Sequence, residues 1–232
     1  MASAVASRTK FWTLADLAEK FGPMPAYRIR LVPLPGTATE QDVIRINDHE
    51  DRICELVDGV LVEKTVGWME SFLAASLIRI LGNYASRRKL GIVTAPDGMV
   101  RLAPRLVRIP DVSFFSWDRL PQGRVPWKSL PSIVPNLAVE VLSPDNTKQE
   151  MTRKLADYFK AGVELVWFID PRKRTVQVFT AAHRFTVLHE SAVLDGGSVL
   201  PGFSLPLREL FGELDLHAKT KPGRKSRKKG KR

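Results

Sequence analysis

Cysteine is almost absent from this chain: Cys54 stands alone among 232 residues. One thiol excludes an internal disulfide and a multi-thiolate metal site, and with that usage a cytoplasmic location is expected. Between Ile53 and Glu55 the thiol reads as a small packed hydrophobe. Long hydrophobic runs are also missing. The apolar stretch at 165–169 is strand-sized, far short of the roughly 18 consecutive apolar residues of a membrane span, so no membrane association is expected. The first residues, MASAVASRTK, are small and weakly basic with no apolar segment behind them, so no secretory signal is expected. No Gly/Ser-rich or Pro-rich linker divides the middle, which favours a single core. His49, His183, His189 and His217 lack zinc-ligand spacing, Ser143 lacks a G-x-S-x-G elbow, and no Walker or Rossmann glycine pattern occurs. Gly196 and Gly197 read as a hairpin turn. The tryptophans, Trp167 for example, read as core rather than as base-stacking platforms.

Acidic residues are missing from residues 219–232, which carry nine Lys/Arg. Taking these nine from the net charge of +11 leaves +2, so the body is nearly neutral and the basicity lies in the tail. Residues 219–232 have no apolar residue to offset ordering entropy, and 216–232 are expected to be a disordered basic tail. Lys225, Arg227, Lys228 and Lys229 are its candidate nucleic-acid contacts through phosphate neutralisation. A solubilising terminus without a dedicated partner explains the same composition.

What is present reads as a mixed α/β chain. Thr13 and Asp16 form a capping-box pattern before Leu14, Leu17, Ala18 and Phe21 at helical spacing, and Gly22 and Pro23 stop that helix. Pro23, Pro25, Pro33 and Pro35 mark the connection, and a polar helical stretch is expected at 39–49. Residues 1–50 are therefore assigned to a partly helical N-terminal extension. Residues 51–215 form the main domain. Asp58-Gly59 between 53–57 and 60–64 is a two-residue hairpin signal, since both residues tolerate positive φ. A long amphipathic helix is expected at 67–84, then strands at 92–95, 99–102 and 112–116. Residues 137–142 form an apolar run with one acid at its centre, the pattern of a buried central strand. Thr147 and Glu150 predict a capping box for a helix over 147–161, closed by Gly162. Strands at 163–169, 175–180 and 184–188 complete a central mixed sheet flanked by helices.

Glu140 is the most informative residue. It lies between Val139 and Val141 in that central strand, where a carboxylate is costly unless it is paired or holds a cation. Asp111 follows Pro110 and immediately precedes the strand VSFF, 29 residues before Glu140. Two carboxylates on neighbouring strands make an oxygen site for Mg²⁺. By contrast, Asp97 and Asp145 read as turn residues. On the helix after Glu140, Met151, Leu155, Tyr158 and Phe159 form the core stripe, and Lys154 borders it within reach of the carboxylates. A lysine there also fits snorkelling, with its stem packed and its ammonium in water. Arg153 is expected to point to solvent.

The stretches CELVDGVLVEK, RIPDVSFFSW, PNLAVEVLSPDN and KLADYFKAGVELVWFIDP, in that order, resemble the Uma-type restriction endonuclease family of the PD-(D/E)XK nuclease superfamily. The resemblance covers residues 53–211, including LDGGSVLPGFSLPL, and implies a restriction-endonuclease-like fold. By it, Asp111 matches the motif aspartate and Glu140 the glutamate of the (D/E)XK strand. The usual lysine position is Leu142 here, which implicates Lys154 on the following helix. Glu55 is assigned as the upstream acid, completing a metal shell or positioning Lys154. Glu70 competes for that role. The implied activity is metal-dependent hydrolysis of phosphodiesters in nucleic acid, DNA foremost, with Mg²⁺ (or Mn²⁺) on Asp111 and Glu140. A homodimer is compatible by analogy with nucleases that cut both strands. Two other classes explain the same residues: an idle nuclease fold that only binds nucleic acid, and an interaction protein whose acids are structural ion pairs.

The tail generates a prediction independent of the fold. Truncation after His217 should weaken duplex binding and flatten its salt dependence, since each neutralised phosphate contributes a slope of about −0.9 in log K against log salt. Binding titrations at several salt concentrations check this, and equal slopes for both chains would assign duplex binding to the body.

Overall fold

The computed structural model describes residues 12–65 and 67–215; the basic tail assigned above lies outside them. Helix α1 (Leu14–Phe21) begins at the expected capping box, with Thr13 and Asp16 each bonded to the other's backbone, and α2 (Glu40–His49) repeats the device with Thr39 and Asp42. Strands β1 (Cys54–Val57) and β2 (Val60–Glu63) form the expected hairpin. Its turn residues Asp58 and Gly59 have φ of 51° and 81°. Gly59 is required there, because a Cβ would lie 2.6 Å from the Gly36 carbonyl oxygen. Next come α3 (Trp68–Arg88), β3 (Gly91–Thr94), β4 (Val100–Ala103), β5 (Leu106–Arg108) and β6 (Val112–Ser116). After a long connection follow β7 (Leu137–Val141), α4 (Lys148–Ala161), β8 (Leu165–Asp170), β9 (Thr175–Ala181) and β10 (Arg184–His189). Strands β11 (Val193–Gly196) and β12 (Leu200–Pro206) and helix α5 (Leu207–Gly212) end the described chain.

One strand and one helix cap depart from the sequence-based expectation, and the hairpin turn read at Gly196-Gly197 is present. β5 is only three residues long, too short for alternation to reveal, yet it lies inside a four-stranded sheet of order β2-β1-β5-β4. β11 and β12 pair around the Gly196-Gly197 turn as a separate hairpin. The capping box expected at the start of α4 is half made. The Thr147 hydroxyl accepts from the Glu150 amide at 3.1 Å, but the Glu150 carboxylate turns instead to Arg28.

The second sheet has six strands in the order β10-β9-β8-β7-β6-β3. β7 and β8 run parallel, joined through α4, and the other neighbours are antiparallel. Strand alternation then sorts β7 by face. Leu137, Val139 and Val141 pack with Leu73, Leu77 and Leu81 of α3, whereas Ala138 joins Met151, Leu155 and Tyr158 of α4. Glu140 shares the parity of Ala138 and so faces α4. Asp111, one residue ahead of Val112 on the α3 face, takes the α4 side by the same rule.

Residues 12–50 are built into the core of the four-stranded sheet. Leu17, Phe21 and Met24 cluster with Val57, Val60 and Val62, and Val43 and Ile46 of α2 pack on Cys54 and Leu56. The Arg30 amide donates to the Leu61 carbonyl and the Gly36 amide to the Gly59 carbonyl, at 3.0 and 2.8 Å. Arg153, expected to face solvent, is half-buried with its guanidinium 5.2 Å from the Phe21 ring centre. Phe21→Ala should therefore destabilise the whole protein by about 3–5 kcal/mol. A urea-unfolding midpoint that did not move would show that the N-terminal segment is not part of the cooperative core.

Candidate active site

The two sheets meet along α4, and a cluster of buried charges sits at their junction. Glu140 at the end of β7, Glu55 in β1 and Lys154 in the second turn of α4 are each no more than 4% exposed. The Lys154 ammonium lies 3.0 Å from Glu55 Oε1 and 3.2 Å from both oxygens of Glu140. Lys154 thus bridges a carboxylate from each sheet and does not snorkel. The Tyr158 hydroxyl donates to Glu140 Oε1 from one turn further along α4. Asp111 is held at the near end of β6. Its Oδ2 accepts from the Val141 amide at 2.6 Å, and its Oδ1 pairs with the Lys64 ammonium at 2.7 Å. Lys64 also donates to the Ile109 carbonyl at 2.7 Å.

Asp111, Glu140 and Lys154 line one cavity of about 80 Å³, shared with Lys64, Glu70 and Arg28 among others. Glu55 is not on its wall. It lies behind Lys154, where Arg108 Nη1 at 2.7 Å and the Ile109 amide at 3.1 Å satisfy its oxygens. Of the two roles expected for Glu55, the geometry matches positioning of Lys154 and not membership of a metal shell. The acid on the wall is Glu70, at the first turn of α3, where a carboxylate is favoured by the helix dipole. The Glu70 carboxylate folds back over Gly67, so a Cβ there would displace it.

The electrostatics follow from burial and neighbours. Burial opposes ionisation of Glu55, but Lys154, Arg108 and Lys64 outweigh it and hold its pKa at about 2. For Glu140, burial is the larger effect. Lys154 opposes it, the nearby Asp111 charge adds to it, and the carboxyl is pushed above its usual range. Lys154 loses solvation by burial but gains more from Glu140 and Glu55, so its pKa is raised and it stays an ammonium. A fixed cation serves as a donor, not as a base.

Sequence reasoning passed over Lys64, Arg108, Tyr158 and Arg28. A lysine closing the apolar strand VLVEK was a usable signal for Lys64. Arg108 sits on the unread β5, and the Tyr158 hydroxyl was hidden in a core stripe. Arg28 carried no local signal. Tryptophan use also differs from expectation: Trp167 is fully buried, whereas Trp68 is 92% exposed beside the cavity-lining Gly67 and Glu70, and Trp127 is exposed as well.

A mixed sheet with an acid-lined cavity at its strand ends, covered by α3 and α4, defines the restriction-endonuclease-like class of fold. A solved structure described as "a putative nuclease belonging to DUF820" from Anabaena variabilis has the same fold. It superposes with a TM-score of 0.62 at 21% identity, over 70% of this chain and 91% of that one. A family model described as "Putative restriction endonuclease" matches residues 40–208, and the chain belongs to this Uma2 family. No curated protein matches.

The Glu55 arrangement sets a pH-dependent expectation. Its folded pKa lies below the unfolded value of about 4.3, so its stabilisation is complete above that pH and is lost as pH falls toward about 2. Glu55→Gln takes one of two carboxylates from Lys154 and one of two from Arg108, which keep Glu140 and Asp157, and should cost about 1.5–3 kcal/mol near pH 7. Denaturant unfolding of both proteins should show the gap narrowing as pH drops below about 4. A constant gap would mean that the charge of Glu55 is not what stabilises.

Proposed function

We propose that this protein is a metal-dependent nuclease that hydrolyses phosphodiester bonds of nucleic acid, DNA foremost, with Mg²⁺ or Mn²⁺ as cofactor. The observation that carries this reading is the convergence of Asp111, Glu140 and Lys154 on one cavity. These are the residues that the family resemblance assigns to the nuclease motif. Membership of a family described as restriction endonucleases, and the nuclease description of the structural neighbour, support the same class.

The side chains present fit a divalent cation. Around the cavity and behind it, Glu55, Asp111, Glu140, Glu150 and Asp157 face four cations, Arg28, Lys64, Arg108 and Lys154, with Glu70 as a further acid on the wall. On the wall itself three acids, Glu70, Asp111 and Glu140, are matched by three cations, Arg28, Lys64 and Lys154, so a phosphodiester alone meets no net attraction and a cation shared with the phosphate would supply it. Among the described residues no group of three or more His, Cys, Asp or Glu forms a metal cluster. The fit is therefore the two-carboxylate kind, with Asp111 and Glu140 as ligands and water or phosphate oxygens completing the shell, as Mg²⁺ commonly accepts.

A bound cation supplies charge neutralisation on the phosphoryl group and a lowered pKa for an attacking water. The chain supplies the rest. Lys154, permanently charged, donates toward the attacking water or the phosphate oxygens as negative charge grows. Glu55 and Tyr158 hold Lys154 and Glu140 in register, and Lys64 orients Asp111. Trp68 offers a stacking surface for a base next to the cavity. The basic tail, through Lys225, Arg227, Lys228 and Lys229, adds sequence-independent attraction to phosphate. A cytoplasmic location and a homodimer that cuts both strands belong to this reading. Among the described residues no helix is long and apolar enough to cross a membrane. The pairing of Lys64 with Asp111 favours a second reading, in which the fold binds nucleic acid without cutting it.

Incubation with plasmid and single-stranded substrates in Mg²⁺, Mn²⁺ or EDTA separates the two. Cleavage should require the cation, and Asp111→Asn or Glu140→Gln should reduce it by about 10²-fold or more while both variants stay folded. Binding without cleavage under all cation conditions selects the second reading. Wild-type cleavage by both variants would place the activity elsewhere.

A further inference from the structure

Lys154 has a local alternative to Glu140 and Glu55. Glu150 lies four residues before it on α4, with the carboxylate N-terminal to the lysine, the more favourable orientation for an ion pair within a helix. Glu150 is as buried as Lys154, so this pairing would not be weakened by water. Its charge also reaches Lys154, being among the influences that raise the ammonium's pKa. Yet the ammonium is found on Glu55 and Glu140.

The reason is Arg28. It comes from a short 3-10 turn, Ala26–Arg28, upstream of the region matched by the family model. Its guanidinium is 3% exposed, lies on the cavity wall, and grips both oxygens of Glu150 at 3.0 and 2.8 Å, while its Nε donates to the Glu63 carbonyl at 2.9 Å. A two-pronged grip takes the Glu150 oxygens away from both local partners. The reciprocal bond to the Thr147 amide is not made, and Lys154 is left to the site. Arg28 spends its own charge in doing so and faces the cavity already neutralised.

We infer that Arg28 is a positioning residue for the proposed nuclease site: by sequestering Glu150, it directs the Lys154 ammonium onto Glu140 and Glu55. The inference rests on the nuclease reading only for its effect on rate. The placement of Lys154 is a separate, structural claim. It also makes the segment before residue 40 a working part of the site.

The test uses the full chain and two routes of readout. In crystals of Arg28→Met, Lys154 should have moved to within hydrogen-bond distance of Glu150 and left Glu140. In Arg28→Met/Glu150→Gln, where the competing charge is gone, it should be back on Glu140 and Glu55. With Mg²⁺ and a single-stranded substrate, Arg28→Met should lower kcat by about 10–100-fold with little change in KM, and the double variant should recover to within a few-fold of wild type. Arg28→Lys, which can cover only one Glu150 oxygen, should fall between, and it serves in place of Arg28→Met if that variant does not fold. Lys154 still on Glu140 in the folded single variant overturns the inference, as does a double variant as impaired as the single. A wild-type protein that cleaves nothing removes the nuclease reading. The crystal structures alone then decide where Arg28 sends Lys154.

Discussion

One ammonium group, that of Lys154, ties this molecule together. Glu140 ends a central strand of the six-stranded sheet, Glu55 sits in the four-stranded sheet, and Lys154 stands between them on the helix that lies against both. Taking three charges out of water costs several kcal/mol each, and only close pairing with further hydrogen bonds repays it. Here Arg108, the Ile109 amide and Tyr158 supply those bonds. Removing either carboxylate leaves the Lys154 ammonium with only one of its two buried acidic partners. The angle between the sheets, the seat of α4 and the position of Glu140 are therefore coupled through a single contact.

That coupling has a functional consequence. On the nuclease reading proposed above, a site that holds a cation and a phosphate needs its carboxylates fixed before either arrives, because rearrangement at the moment of reaction would cost rate. Asp111 is fixed by a backbone amide and by Lys64, and Glu140 by Lys154 and Tyr158. Neither depends on solvent for its orientation. The raised pKa of Glu140 reflects burial and the closeness of Asp111. Such mutual repulsion between two fixed carboxylates is relieved by a divalent cation.

The N-terminal segment contributes at two levels. Its apolar residues cover the outer face of the hairpin, and Arg28 reaches through to the cavity wall and occupies Glu150. A segment outside the family-matched region thus reaches the arrangement of residues inside it. The region matched by the family model carries the acids and the lysine, and Arg28, from outside it, occupies the acid that would compete for that lysine.

Much of the architecture could be read from the residues because it depends on local physics. Thr13 with Asp16, Thr39 ahead of α2, the Asp58-Gly59 turn and Gly162 after α4 each act over a few residues, and the period of the apolar pattern told α3 and α4 from the strands. An acid inside LAVEV announced itself because burial of a lone carboxylate is unfavourable wherever the strand lies. By contrast, β5 was invisible at three residues, and Lys64 and Arg108 could be matched to Asp111 and Glu55 only once the sheets were assembled. The capping box at Thr147 was a sound local expectation that lost to Arg28, more than a hundred residues away in sequence. Periodicity, caps and turns are properties of neighbouring residues and so belong to the sequence. Which carboxylate a buried cation meets depends on the distances set when distant elements pack, and only the tertiary structure decided it.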